Sequence, residues 1–309
     1  MPEGHTIHRL AARMNSVFGG QLLEVSSPQG RFSRGALLLN GRRLVFAQAF
    51  GKQLHMHFAA PENHDDVLVM RSHLGLYGKW TFAGDEQFES LATADNPRRR
   101  ADRVAADDGH GRARDEHGWV VPEAARGAIR VRLRGKHGWA DLRGPTECRV
   151  ETVSEAAAAL KRLGPDPLDP DETGGLFVAR AGRSARPIAA LLMEQQVIAG
   201  VGNIYRAESL FRQKVDPFLP GNQAGEEVLR GLWTENRELL KIGVRLGRIV
   251  TTDQADRPRI PDERAWPEHA NYVYKRAGKP CRHCQTPVEV TEMVGRTLYW
   301  CPTCQAPGT

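Results

Sequence analysis

The tightest constraint on this chain lies near its end, in the stretch CRHCQTPVEVTEMVGRTLYWCPTC. Four of the five cysteines stand there in two Cys-x-x-Cys pairs, Cys281 with Cys284 and Cys301 with Cys304, and sixteen residues separate the pairs. Each pair can bite one metal ion from a tight knuckle, and a hairpin between them completes four thiolates around zinc. A segment this small cannot hold itself together, so one structural zinc ion is expected, with no catalytic role. Arg296, five residues before Cys301, sits where the folded hairpin can hold it out rigidly; read alone it is an ordinary surface arginine. Cys148 stands apart, and five cysteines in a chain of 309 residues do not suggest a disulfide scaffold.

That length exceeds one hydrophobic core and suits two or three modules. With 40% apolar residues and no apolar run near the roughly 20 that a membrane span requires, the chain reads as soluble, globular and not membrane-bound. The opening MPEGHTIHRLAARMN lacks the apolar core and cleavage site of a signal peptide, so a cytoplasmic location is expected. A net charge of +6 favours an anionic partner, most commonly nucleic acid.

Along the chain, Ile7, Leu10, Met14 and Val17 fall at helical spacing and the segment ends in a glycine pair, which predicts an early helix. Strand patterns follow. ALLLNGRRLVFAQAF carries an Asn40-Gly41 hairpin turn between strands. Leu54, Met56 and Phe58 alternate with Gln53, His55 and His57, the period of a half-buried strand. VLVMRSHLGLYGKW, AIRVRLR and WADLRG add others, so residues 1–150 read as a mostly β module, a sandwich. Within it, residues 92–126 have few apolar side chains, dense charge and no period, the pattern of a disordered surface insertion. From residue 151 the texture turns helical: SEAAAALKRLG, RPIAALLMEQQ, NIYRAESLFRQ and a long AGEEVLRGLWTENRELLKIGVRLG. A Pro- and Asp-rich linker closes that module at about residue 262, and residues 263–309 hold the finger.

Two places invite chemistry. After removal of the methionine, Pro2 presents a secondary amine beside Glu3; on base rates a terminus is simply frayed. In QQVIAGVGNIYRAESL, two glycines separate a helix ending near Gln195 from one starting at Asn203. Such a helix start offers unpaired amides to a phosphate, although an asparagine there is commonly only a cap.

Taken in order, PEG, the GK of FGKQL, SHLGLYG, LGPDPL, GVGNIYRAESLF and the four-cysteine finger resemble the formamidopyrimidine-DNA glycosylase and endonuclease VIII family, over nearly the whole chain outside the charged insertion. The resemblance implies an α+β fold: an N-terminal β-sandwich with flanking helices, then a helix-two-turn-helix domain and a zinc finger hairpin, acting as a monomer on damaged DNA with one nucleotide flipped out. It implies a bifunctional DNA glycosylase and abasic-site lyase of base excision repair. Pro2 would be the nucleophile, attacking C1′ to form an iminium, and Glu3 the proton-transfer group. Lys52, His73, Asn203 and Arg296 match phosphate grips. Leu76 and Tyr77 match the wedge that fills the space left by the extruded base; without the resemblance they read as core residues at a strand turn.

PEG and LYG point to the endonuclease VIII side and to oxidised pyrimidines. The purine-excising branch also uses an arginine and a phenylalanine from a later loop, and DLRGPTEC offers Arg143 without the phenylalanine. His5 and Thr6 depart from the Pro-Glu that commonly follows the opening motif, which leaves the lesion open. Single-stranded substrates, an oxidised-purine enzyme, and a zinc DNA-binding protein without catalysis are the competing readings.

Overall fold

Helix α1 (Gly4–Phe18) buries the apolar face its spacing predicts, Ile7, Leu10, Met14 and Val17, and stops at Gly19-Gly20. The computed structural model describes residues 2–93 and 112–306. Contacts divide the chain into two units, one comprising Met1–Pro2 and Ile7–Leu160, the other Glu3–Thr6 and Lys161–Thr309.

The first unit is a sandwich of two antiparallel four-stranded sheets. One contains β1 (Glu24–Ser26), β5 (Lys79–Gly84), β6 (Ile129–Gly135) and β7 (Gly138–Arg143) in the order β1-β6-β7-β5. The other runs β2 (Arg43–Phe50), β3 (Gln53–Ala59), β4 (Val67–His73) and β8 (Glu147–Thr152). Alternation puts Leu54, Met56 and Phe58 of β3, with Val131 and Leu133 of β6, into one core that also takes in α1. Helix α2 (Ser33–Leu39) occupies ALLL, where the sequence pattern predicts a strand. Asn40-Gly41 therefore ends a helix instead of turning a hairpin: Ala36 and Leu39 are buried, the Asn40 amide donates to the Ala36 carbonyl, and Gly41 has φ +75°.

The charged stretch is also less loose than its composition predicts. Ala92 and Thr93 close α3 (Glu86–Thr93), residues 94–111 lie outside the described residues, and residues 112–126 pack on the sandwich. There Val120 is buried, Arg114 reaches Asp85 at 2.7 Å, and Asp115 accepts from Arg134 at 2.5 Å. Arg114 and Asp115 thus find fixed partners just past β5 and on β6, which composition alone does not reveal.

After α4 (Val153–Leu160) the second unit is helical: α5 (Gly175–Ala181), α6 (Ile188–Leu191), α7 (Asn203–Arg212) and α8 (Gly225–Leu246). Helix α6 is only four residues long; the chain beyond it turns, because the Gln195 side chain holds the loop by accepting from Gly200 N at 3.0 Å and donating to Val201 O at 3.0 Å. Helix α8 lays Leu229, Leu232, Trp233, Leu239 and Leu240 on the core and ends at Gly247, φ +69°. The Pro- and Asp-rich linker is packed as well: buried Arg257 donates to Thr252 and Asp262. Beyond it, β9 (Glu289–Met293) and β10 (Arg296–Trp300) pair as the finger hairpin. Among the described residues, no helix is long and apolar enough to cross a membrane.

Candidate functional site

In the second unit the site grows from the close passage of two backbones. A Cβ on Gly4 would lie 2.9 Å from the Gly200 Cα, and one on Gly202 would lie 2.5 Å from the Glu3 carboxyl carbon, so both positions admit only glycine. That approach delivers Glu3, fully buried, to the start of α7, where its oxygens accept from Gly202 N and Ile204 N at 2.9 Å each. The helix start that the sequence marks as a phosphate site is thus occupied by a carboxylate, as its dipole favours. Pro2, the adjoining residue, is half-buried.

Asn203 is the first residue of α7 and Gly202 the cap, so its side chain is not spent on capping. It is buried instead, donating from Nδ2 to the Thr297 carbonyl of β10 at 2.9 Å and accepting from Arg206. Arg206, one turn further on, was not singled out from the sequence. Its guanidinium is fully buried and also donates to Met293 O at 3.2 Å, and burial lowers its pKa to about 10. The i, i+3 spacing from Asn203 to Arg206 was the signal available. Together they fix both strands of the hairpin at its tip, where Arg296 begins β10 half-exposed.

Behind the tip, the sulfurs of Cys281, Cys284, Cys301 and Cys304 all lie within 4.8 Å of one another. Cys281 to Cys304 measures 3.9 Å and Cys284 to Cys301 measures 3.4 Å. Thiolates at ~2.3 Å from a tetrahedral zinc lie roughly 3.8 Å apart, so the set fits one structural zinc ion. Backbone amides of His283 and Cys304 point at the sulfurs of Cys281 and Cys301, at 3.4 and 3.5 Å, a supporting layer for thiolate charge.

The first unit brings Lys52 and His73 together. Lys52 lies in the turn between β2 and β3, and Gln53 beside it pairs with His73 at the end of β4. Burial, and then the Lys52 charge, lower the His73 pKa. The Gly75 amide donates to His73 Nδ1 at 3.1 Å, with Thr146 Oγ1 at 2.9 Å from the same nitrogen. Nδ1 is therefore an acceptor, and the neutral ring carries its proton on Nε2. Thr146 is a second residue the sequence reading missed. Past Gly75, whose φ is +64°, the turn between β4 and β5 carries Leu76, 39% exposed, and Tyr77, 86% exposed. Neither belongs to the core.

Comparison with known proteins gives these features a context. Residues 163–255 match the formamidopyrimidine-DNA glycosylase H2TH domain, and residues 278–307 match the zinc finger found in FPG and IleRS. The chain is 40% identical over 309 residues to "Endonuclease 8 1" of Mycobacterium tuberculosis (strain ATCC 25618 / H37Rv), covering 99% of this chain and 100% of that protein. It is 42% identical over 150 residues to the formamidopyrimidine-DNA glycosylase of Thermus thermophilus, across 48% of this chain and 55% of the other. A crystal structure of wild-type Lactococcus lactis Fpg (MutM) with N7-benzyl-Fapy-dG containing DNA shares the fold at a TM-score of 0.72 and 19% identity, covering 99% of this chain and 100% of that one. The chain belongs to the formamidopyrimidine-DNA glycosylase and endonuclease VIII family, the zinc-finger DNA glycosylases of base excision repair.

Proposed function

We propose that this enzyme is a bifunctional glycosylase and abasic-site lyase that removes oxidised bases from DNA, pyrimidines above all. The observation that carries the reading is Glu3, buried and held by two amides, one peptide bond from Pro2. With the methionine removed, Pro2 is a secondary amine, and an α-amino group with a pKa of about 7.7–8.0 keeps a neutral fraction near pH 7. Its nitrogen attacks C1′ of the damaged nucleotide and the base departs with the electron pair of its bond to C1′; the Glu3 carboxylate takes the proton that the alkylated nitrogen sheds and passes it to the sugar ring oxygen as the C1′–O4′ bond opens. The resulting iminium draws electrons from C2′; loss of the C2′ proton then expels the 3′ phosphate and cuts the strand.

The other residues hold the DNA. Lys52, the Nε2–H of His73 and Arg296 grip phosphates, Asn203 joins them through the Nδ2 hydrogen that Thr297 O does not take, and Leu76 with Tyr77 fills the gap left by the flipped nucleotide. Three modules, residues 1–150, 151–262 and 263–309, share this work in a monomer that acts at the nucleoid. Pyrimidine preference is supported by the Leu-Tyr tip and by the whole-length relative named as an endonuclease 8.

Borohydride during incubation with abasic-site duplex tests the mechanism. It should reduce the iminium to a stable covalent adduct, and masking Pro2 with an N-terminal tag should abolish both adduct and strand cleavage. Undiminished turnover by protein whose first amine is masked would overturn the role of Pro2. Paired duplexes with an oxidised pyrimidine or an oxidised guanine test the preference.

A further inference from the structure

The finger tip contains a residue that local conformation disfavours. Met293 and Arg296 are paired, so Val294 and Gly295 make a two-residue turn, with φ of +55° and +62°. Both values fit the turn that joins right-twisted strands, and its first position prefers Asn, Asp or Gly. A β-branched side chain there is an outlier. The other non-glycine residues at positive φ among the described residues, Lys214, Arg259, Lys275 and Gln285, are all unbranched at Cβ. Nor does packing explain the choice, because Val294 is 51% exposed and belongs to none of the apolar clusters. The roots of the turn are pinned, Met293 O by Arg206 and Thr297 O by Asn203, so the valine is held where it stands.

We propose that Val294 is a DNA-contacting residue: its isopropyl group packs on the deoxyribose next to the phosphate that Arg296 takes, adding an apolar contact to an ionic one. The proposal rests on the DNA-binding reading of the finger given above. Strain retained at an exposed position is characteristic of a working site. A sugar is the apolar surface that a backbone phosphate brings within reach of an arginine one turn residue away.

The test is duplex binding by the full, zinc-loaded protein and by Val294→Asn, Val294→Gly and Val294→Ile across a salt series. Asn and Gly suit the turn, so zinc content and thermal stability should hold or rise while affinity for abasic-site duplex falls about tenfold, the size of losing one buried apolar side chain. The salt slope should stay at the wild-type value, because no phosphate contact is lost. Ile, branched like Val, should keep the affinity. Wild-type affinity in Val294→Asn and Val294→Gly would overturn the proposal and leave the DNA reading standing. Absence of salt-dependent duplex binding in the wild type would sink the DNA reading, and this proposal with it.

Discussion

The turn between β4 and β5 and the turn between β9 and β10 carry apolar side chains into solvent from opposite kinds of foundation. In the first, Leu76 and Tyr77 stand where the chain crosses from one sheet to the other, and both sheets pack their inner faces into the sandwich core. In the second, Val294 stands on a hairpin of five-residue strands in front of four cysteines. Each is pinned at its root by polar bonds, through His73, Gly75 and Thr146 in one and through Asn203 and Arg206 in the other. Each also sits beside a cation, Lys52 or Arg296. The same device, a rigid root with a charged grip and an apolar tip, can thus rest on an apolar core or on a metal. What differs is the condition that removes it.

Metal removal should separate the two most sharply. Cys281→Ser deprives the finger of a ligand worth a share of the ~10–16 kcal/mol that binds a structural zinc, more than so short a segment has in reserve. The finger should lose its zinc and its hairpin, while the sandwich keeps its melting transition. Zinc content, hairpin chemical shifts and a thermal melt check this; a finger still folded without zinc would erase the contrast.

Acid should act on the other foundation. His55 of β3 is fully buried, and burial first, then the Arg71 charge, hold its pKa at about 4. The unfolded chain takes up the proton near pH 6.5 and the folded chain does not. Stability from the neutral ring is therefore complete above about pH 6.5 and is lost as pH falls towards 4, in total ~3 kcal/mol. Urea unfolding of the first unit at pH 7.5 and 4.5 should show that loss in the wild type and much less of it in His55→Gln. Equal losses in both would mean that His55 is not the group the sheet responds to.

His55 also shows where legibility stopped. Alternation correctly gave β3 and the inward set Leu54, Met56 and Phe58, but it assigned His55 to a polar face. The structure buries it there beside Arg71, which is clamped by Glu147 at 2.8 Å and Glu151 at 2.7 Å. Pairings between strands far apart in sequence have no local period to announce them. Periodicity likewise found α1 and α8, whose apolar faces meet a core, and misread ALLL, where only the core contacts of Ala36 and Leu39 decide for helix. The cysteine spacing read through to a ligand set because two knuckles and a hairpin leave little geometric freedom. Arg206 stayed hidden for the reason His55 did: its partners are backbone carbonyls some ninety residues away.

The finest comparison is between the two cations. Lys52→Gln and Arg296→Gln each remove one proposed phosphate grip, so each should lower the slope of log affinity against log salt by about one, whatever the DNA sequence. The losses should add in the double variant, because the two contacts involve different phosphates. Lys52→Gln alone should also change the pH response, since the Lys52 charge helps hold the His73 pKa down. Without it, His73 protonates at a higher pH than in the wild type, although burial still holds it below the ordinary histidine value, so the acid-side strengthening of binding should begin at a higher pH than in the wild type; Arg296→Gln should lack that effect. Identical pH profiles for the two variants would place Lys52 and His73 too far apart to act as one grip.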